Sequence, residues 1–218
     1  MRRLRIALLG RSRGQALTEL ALITPLALLM ILGGFDLSTM ASDTGLSVTA
    51  ARHGARLGAE EGGTNSSIAT CDGTLPAATT LAAVDGPIVQ TVLAAMKNMS
   101  FMGTSANRNL PDRIDIYKPS AADGKIVIGP TAAASDEGEY YLPSDSPPFS
   151  VKHNTLVSGS PVADYKLLDR CQGPLGSETD IGVRVIWTFV PPNGIPGPQI
   201  TLTEYSVEKI SLCSDNCN

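Results

Sequence analysis

The chain reads as an α+β protein in which one long N-terminal helix is followed by a second helix and a small antiparallel sheet. Three observations lead there. Residues 16 to 35 form a nearly unbroken apolar run, and the stretch that follows to Glu61 is alanine-rich and free of proline. Residues Ile181 to Val190 alternate apolar and polar side chains with the period of two that a half-buried strand requires. Gly 21 and Pro 15 stand against only 5% aromatics, which suits modest elements joined by many turns and leaves little for a large aromatic cofactor pocket. At 218 residues and 43% hydrophobic content, the chain can bury one ordinary core beside a membrane segment.

The first helix has two halves. From Ala16 to Phe35 the strongly polar residues are Thr18, Glu19 and Thr24, and a helix of this length spans about 30 Å, a bilayer core. Five arginines (Arg2, Arg3, Arg5, Arg11, Arg13) flank it on one side and Asp36 and Asp43 on the other, so the positive-inside bias puts the N-terminus in the cytoplasm and everything after Asp36 outside. A secretory signal peptide shares this plan, but its apolar region is only about 7 to 15 residues and Thr39-Met40-Ala41 is a poor cleavage site. The helix should continue from Leu37 to Glu61 and stop in the run Glu60 to Asn65. Within it Ala50, Gly54 and Gly58 recur every four residues, a small-residue strip for the protein's own sheet or for a neighbouring chain.

A second helix is expected from Leu75 or Pro76 to about Met99, with Asp85-Gly86-Pro87 as a candidate break and Ile88, Val92, Leu93 and Met96 on one apolar face. Arg113 to Tyr117 and Lys125 to Ile128 read as short strands of one hairpin, and Thr131 to Pro161 as irregular loop. In the clearest strand, Ile181, Val183, Val185, Trp187 and Phe189 point inward while Arg184 and Thr188 point out. A Pro/Gly-rich connection then leads to a last strand near Ile200 to Leu212.

Charge and motif content exclude several functions. Beyond Gly14 there are twelve basic and all twenty-one acidic residues, a formal charge of −9 that repels phosphate backbones and argues against nucleic acid as a partner. Neither His53 nor His153 has an identifiable catalytic partner, and no nucleophile-elbow, zincin or P-loop pattern appears, so neither an enzyme activity nor a small-molecule substrate is expected. Asp136, Glu137 and Glu139 read as a solvated acidic loop and not as a calcium site. Cys71, Cys171, Cys213 and Cys217 include no Cys-x-x-Cys pair and have no histidine close in sequence, so disulfides are favoured over free thiols, and both over a metal. The short spacing of Cys213 and Cys217 favours a local bridge, leaving Cys71 to Cys171, although four cysteines permit three connectivities. No cofactor is implied.

The segment Arg13-Gly14-Gln15-Ala16-Leu17-Thr18-Glu19-Leu20 resembles a class III, prepilin-type signal, with a basic leader ending in glycine and a glutamate five residues into the mature chain. The wider stretch, with Gly14, Gln15, Glu19, Pro25, Gly33, Gly34, Phe35 and Asp36 in order, and then Ala50-Ala51-Arg52-His53-Gly54-Ala55-Arg56, resembles the TadE-like family of the tight-adherence (Flp type IVb) pilus systems. Leu20 departs from the phenylalanine or tyrosine usual at that position. Asp36-Leu37-Ser38-Thr39-Met40 mimics the D-x-S-x-x metal motif of a larger family member, but a helix at the membrane edge cannot form the strand-end loop that motif needs.

The resemblance implies a minor pseudopilin with a leader at 1–14, a transmembrane helix at 15–36 and an exported pilin-like domain at 37–218. Its implied partners are the membrane, a prepilin peptidase, other pilins and the pilus assembly platform. In this reading the peptidase cuts between Gly14 and Gln15, Glu19 and the neighbouring Leu20 and Pro25 serve assembly, and the product stays as a single-pass protein of the cytoplasmic membrane or passes into a surface pilus. The rival reading is an anchored surface-binding module whose helix is only a tether. A tether needs neither a glycine cut site nor a register-setting acid.

Overall fold

The computed structural model describes residues 6–64, 80–99, 110–126, 137–144, 147–153, 159–170, 179–191 and 199–210. The expected architecture is present: a helix α1 (Ile6–Thr64), a second helix α2 (Leu81–Met96) and a five-stranded antiparallel sheet. Its strands are β1 (Arg113–Tyr117), β2 (Gly138–Tyr141), β3 (Lys152–His153), β4 (Asp180–Phe189) and β5 (Ile200–Lys209), in spatial order β3-β2-β1-β4-β5. Cys71, Cys171, Cys213 and Cys217 lie outside the described residues, as do Leu75 and Pro76 at the expected start of the second helix.

Thr80 begins α2 as an N-cap in extended conformation, its side-chain oxygen accepting from Ala83 N at 3.3 Å. The candidate break at Asp85-Gly86-Pro87 is absent, and the helix runs through Pro87. Pro87 gives up one ladder hydrogen bond, but Val84, Asp85, Ile88 and Val89 around it are all buried, and this tertiary packing outweighs the local penalty.

The core forms where the two helices cover one face of the sheet. Register places Ile114 opposite both Tyr141 and Val185, and Ile116 opposite Val183, so these side chains share a face. They join Trp187 and Phe189 of β4, Ile88, Val89, Val92 and Met96 of α2, and Ala50, Ala51, Ala55 and Ala59 of α1 in one buried cluster. The alternation read in β4 therefore holds on its inward side. Arg184 and Thr188 do lie on the opposite face but are buried there: Arg184 Nε donates to Asp115 Oδ2 at 2.9 Å, and Thr188 Oγ1 to Asp112 Oδ2 at 2.6 Å. This sheet face, over which no helix of the described residues lies, is sealed by its own long side chains, with Arg113 lying 3.8 Å from the centre of the Tyr140 ring.

Three sequence expectations are corrected. Lys125 and Ile126 are not in a strand, while Val127 and Ile128 lie outside the described residues, and β1 pairs instead with β2 and β4. With both edges of β1 occupied no third strand can add to it, and Pro119 to Gly124 folds back as a turn in which Tyr117 donates to the Gly124 carbonyl at 2.9 Å. The stretch Thr131 to Pro161 is not all loop, because it contains β2 and β3. Glu139 is not solvated, since it sits in β2 with no exposure. His153 in turn has a partner, Asp164, whose Oδ1 lies 2.6 Å from its Nδ1.

Glu139 belongs to a buried polar cluster that local sequence patterns do not reveal. Arg170, at the end of a 3-10 turn (Leu167–Arg170), forms ion pairs with both Asp85 of α2 and Glu139 of β2. Tyr141 donates to Asp85 at 2.6 Å, the Tyr165 backbone N–H to Glu139 at 3.0 Å, and Arg170 Nε to the Tyr165 carbonyl at 3.1 Å. Three stretches of chain distant in sequence, around Asp85, Glu139 and Arg170, are thus tied at one point.

Candidate functional site in the N-terminal helix

Fifty-nine residues in one helix correspond to roughly 90 Å of rod, far more than a bilayer requires. The rod is divided by burial. Leu17, Leu20, Leu22, Ile23, Leu26, Leu28, Leu29, Met30 and Ile31 are all exposed, with Leu22 at 81%, whereas α1 is embedded in the core from about Met40 to Ala59. An apolar surface left bare over some five turns cannot face water, and α1 is long and apolar enough between Gly14 and Glu60 to cross a membrane. Its apolar part answers internally for its polar atoms: Thr18 Oγ1 donates to the Gln15 carbonyl at 2.8 Å and Thr24 Oγ1 to the Leu20 carbonyl at 2.7 Å. Pro25 lies inside the helix without ending it.

Gly14 and Gln15 lie within the same continuous helix, so the residues from Ile6 onward and the apolar segment are one element. A Cβ placed on Gly14 would meet nothing, which means that packing does not require this glycine. It does lower the cost of locally unwinding the helix, as any protease acting there would need. Glu19 is exposed, and among the described residues it contacts Gln15, whose Nε2 donates to Glu19 Oε1 at 3.1 Å. Nothing in the fold of the described residues therefore depends on Glu19. Leu20 and Pro25 likewise face outward from the domain.

Ala50, Gly54 and Gly58 lie on the buried side of α1, against the protein's own elements. A Cβ on Gly54 would come to 2.6 Å from Val92 Cγ2, and one on Gly58 to 2.8 Å from Ile181 Cδ1 and 3.1 Å from Ile88 Cδ1. The glycines are sockets for α2 and β4 side chains. Gly54→Val should therefore cost about 1–3 kcal/mol through overpacking, while Gly45→Ala, where a Cβ meets nothing, should gain about 0.5–1 kcal/mol from helix propensity. Thermal melts of the full chain in detergent should move in opposite directions for the two variants.

The described residues contain no group of three or more His, Cys, Asp or Glu arranged to hold a metal ion. A shallow groove of about 260 Å³ between α1 and α2 is lined by His53, Arg56, Leu57, Glu60 and Thr91, with Arg56 paired to Glu60 at 2.8 Å.

Comparison with protein families matches residues 14–56 to the model described as TadE-like protein. No curated protein and no solved structure matches the chain. The match begins at Gly14 and takes in the exposed apolar segment together with the first sockets of the buried half, Ala50 and Gly54. Residues 14–56 are thus similar to the TadE-like model, which is consistent with a TadE-like family member of the Tad pilus system.

Proposed function

We propose that this chain is a minor pseudopilin, a non-enzymatic single-pass membrane protein that a prepilin peptidase cuts between Gly14 and Gln15 and that helps assemble or cap a Tad-type pilus. The observation that carries the reading is the division of α1: a bare apolar half preceded by Gly14 and carrying Glu19 in its first turns, continuous with a half built into the core. The cut would leave Gln15 as a new helix N-terminus, placing Glu19 where the helix dipole favours an acid and a free amine can pair with it. Other pilins and the assembly platform are the partners in this reading, with the N-terminus in the cytoplasm and the sheet domain exported.

Intact-mass measurement on membrane-extracted protein tests the cut. The mature chain should begin at Gln15 in cells with an active prepilin peptidase, and Gly14→Val should leave the leader attached, because a β-branched residue fills the space that the protease requires. Retention of Met1 in the wild type, or a mature N-terminus at Ser42, would refute the assignment. A leader removed at Gly14 also separates this reading from an anchored binding module, for which processing there serves no purpose.

A further inference from the structure

The buried cluster beneath the core contains two carboxylates and one guanidinium. Asp85 and Glu139 have no exposure and Arg170 has 2%, and among the described residues no second cation contacts either acid. With both acids ionised the described residues would leave the site with an uncompensated negative charge in a buried interior. A single proton removes that charge.

Hydrogen bonding indicates which acid takes the proton. Asp85 accepts from the Tyr141 hydroxyl and from both terminal nitrogens of Arg170, Nη2 lying 3.4 Å from Oδ2. Glu139 accepts from the Tyr165 N–H and from Arg170 Nη2, and Asp85 is within hydrogen-bonding reach as an acceptor for a protonated Glu139. Among the described residues, the charged and titratable groups facing the site are Asp85 from α2, Glu139 and Tyr141 from β2, Tyr165 from the segment after β3, and Arg170 from the 3-10 turn.

We propose that Glu139 holds a proton at neutral pH and that the Asp85–Glu139–Arg170 cluster is a pH-sensitive lock, binding α2 to β2 and the Arg170 turn more tightly as the medium becomes acidic. Burial raises the Glu139 carboxyl well above the usual carboxylate range; Arg170 opposes the rise and Asp85 reinforces it. Burial likewise raises the Tyr141 phenol, helped by Asp85, so it remains a donor. Burial works against the Arg170 cation, but the two carboxylates outweigh it and its pKa is raised.

The sign follows from proton counting. Between the ordinary glutamate range and the raised folded value, the native state holds a proton that the unfolded chain has released, so stability is greatest on the acid side and falls as pH rises through that window.

The test is unfolding of the full chain in detergent micelles from about pH 5 to about pH 8, for the wild type and Glu139→Gln. Glutamine mimics the protonated acid, with its amide N–H toward Asp85 and its carbonyl toward the Tyr165 N–H. The wild-type unfolding constant should rise by up to about tenfold per pH unit within the window. Comparing the two proteins cancels contributions from His53 and from the His153–Asp164 pair. A flatter profile for Glu139→Gln, with the variant overtaking the wild type at the alkaline end, supports the lock, whereas an unchanged slope overturns it. Infrared spectra of wild-type protein grown with carbon-13 glutamate need no variant: an isotope-shifted protonated-carboxyl band at neutral pH supports the assignment, and its absence overturns it.

Discussion

Arg170→Met is expected to destabilise the domain by about 3–5 kcal/mol, the cost of deleting one partner from a buried ion pair. The methionine would fill much of the space, but it would strand Asp85 and Glu139 against each other with no cation between them. Total stability of a folded domain is about 5–15 kcal/mol, so the loss is a large fraction of what is available. For a chain of this size it should lower the melting temperature by about 10 °C, judged at about 2–4 °C per kcal/mol. Adding Asp85→Asn and Glu139→Gln to Arg170→Met should recover much of that loss, because no buried charge is then left without a partner. Melting curves of the wild type, Arg170→Met and the triple variant, recorded at one pH, are the measurement. Equal stability of the single and triple variants would show that the guanidinium contributes by packing alone.

Glu19→Ala is expected to abolish incorporation into a pilus while leaving the melting curve of the exported domain unchanged. The expectation rests on the pseudopilin reading and on the isolation of Glu19, whose partner among the described residues is the neighbouring Gln15. Replacing an acid by alanine makes the apolar segment easier to insert, so loss of function could not be blamed on membrane insertion. A pair made with a neighbour's amine in low dielectric would lose several kcal/mol on deletion, or about a hundredfold or more in occupancy. Piliation and co-purification with other pilins, scored beside expression level, decide the matter. Normal piliation would reduce Glu19 to an acid tolerated at the membrane edge.

Both helices and the two long strands were legible because each repeats a local pattern. The apolar run and the small-residue strip mark α1 through their spacing, and five alternating apolar residues mark β4. What escaped was long-range. Gly138 to Tyr141 is only four residues and carries Glu139 on its inward side, so no alternation of hydrophobicity announces a strand. Its carboxylate is tolerated there because Arg170, 31 residues later, meets it, and a pairing over that distance has no local signature. Pro87 misled in the same way, since its penalty is local and the packing that overrides it is not. The face used by Ala50, Gly54 and Gly58 could be read as a close-packing surface, but choosing between the protein's own sheet and another chain, and finding that α2 shares the contact, required the fold.

The sockets on α1 have a mechanical consequence. A pull along the exposed apolar half is delivered, through an unbroken rod, parallel to the interface that runs from about Met40 to Ala59. That interface is loaded in shear. Val92, Ile88 and Ile181 occupy the gaps at Gly54 and Gly58 like teeth in a rack, so sliding the helix axially would carry those gaps off the side chains that fill them. The contacts must then fail together and cannot peel apart one at a time, and the exposed apolar half is coupled to the sheet as a strut that transmits tension without slipping.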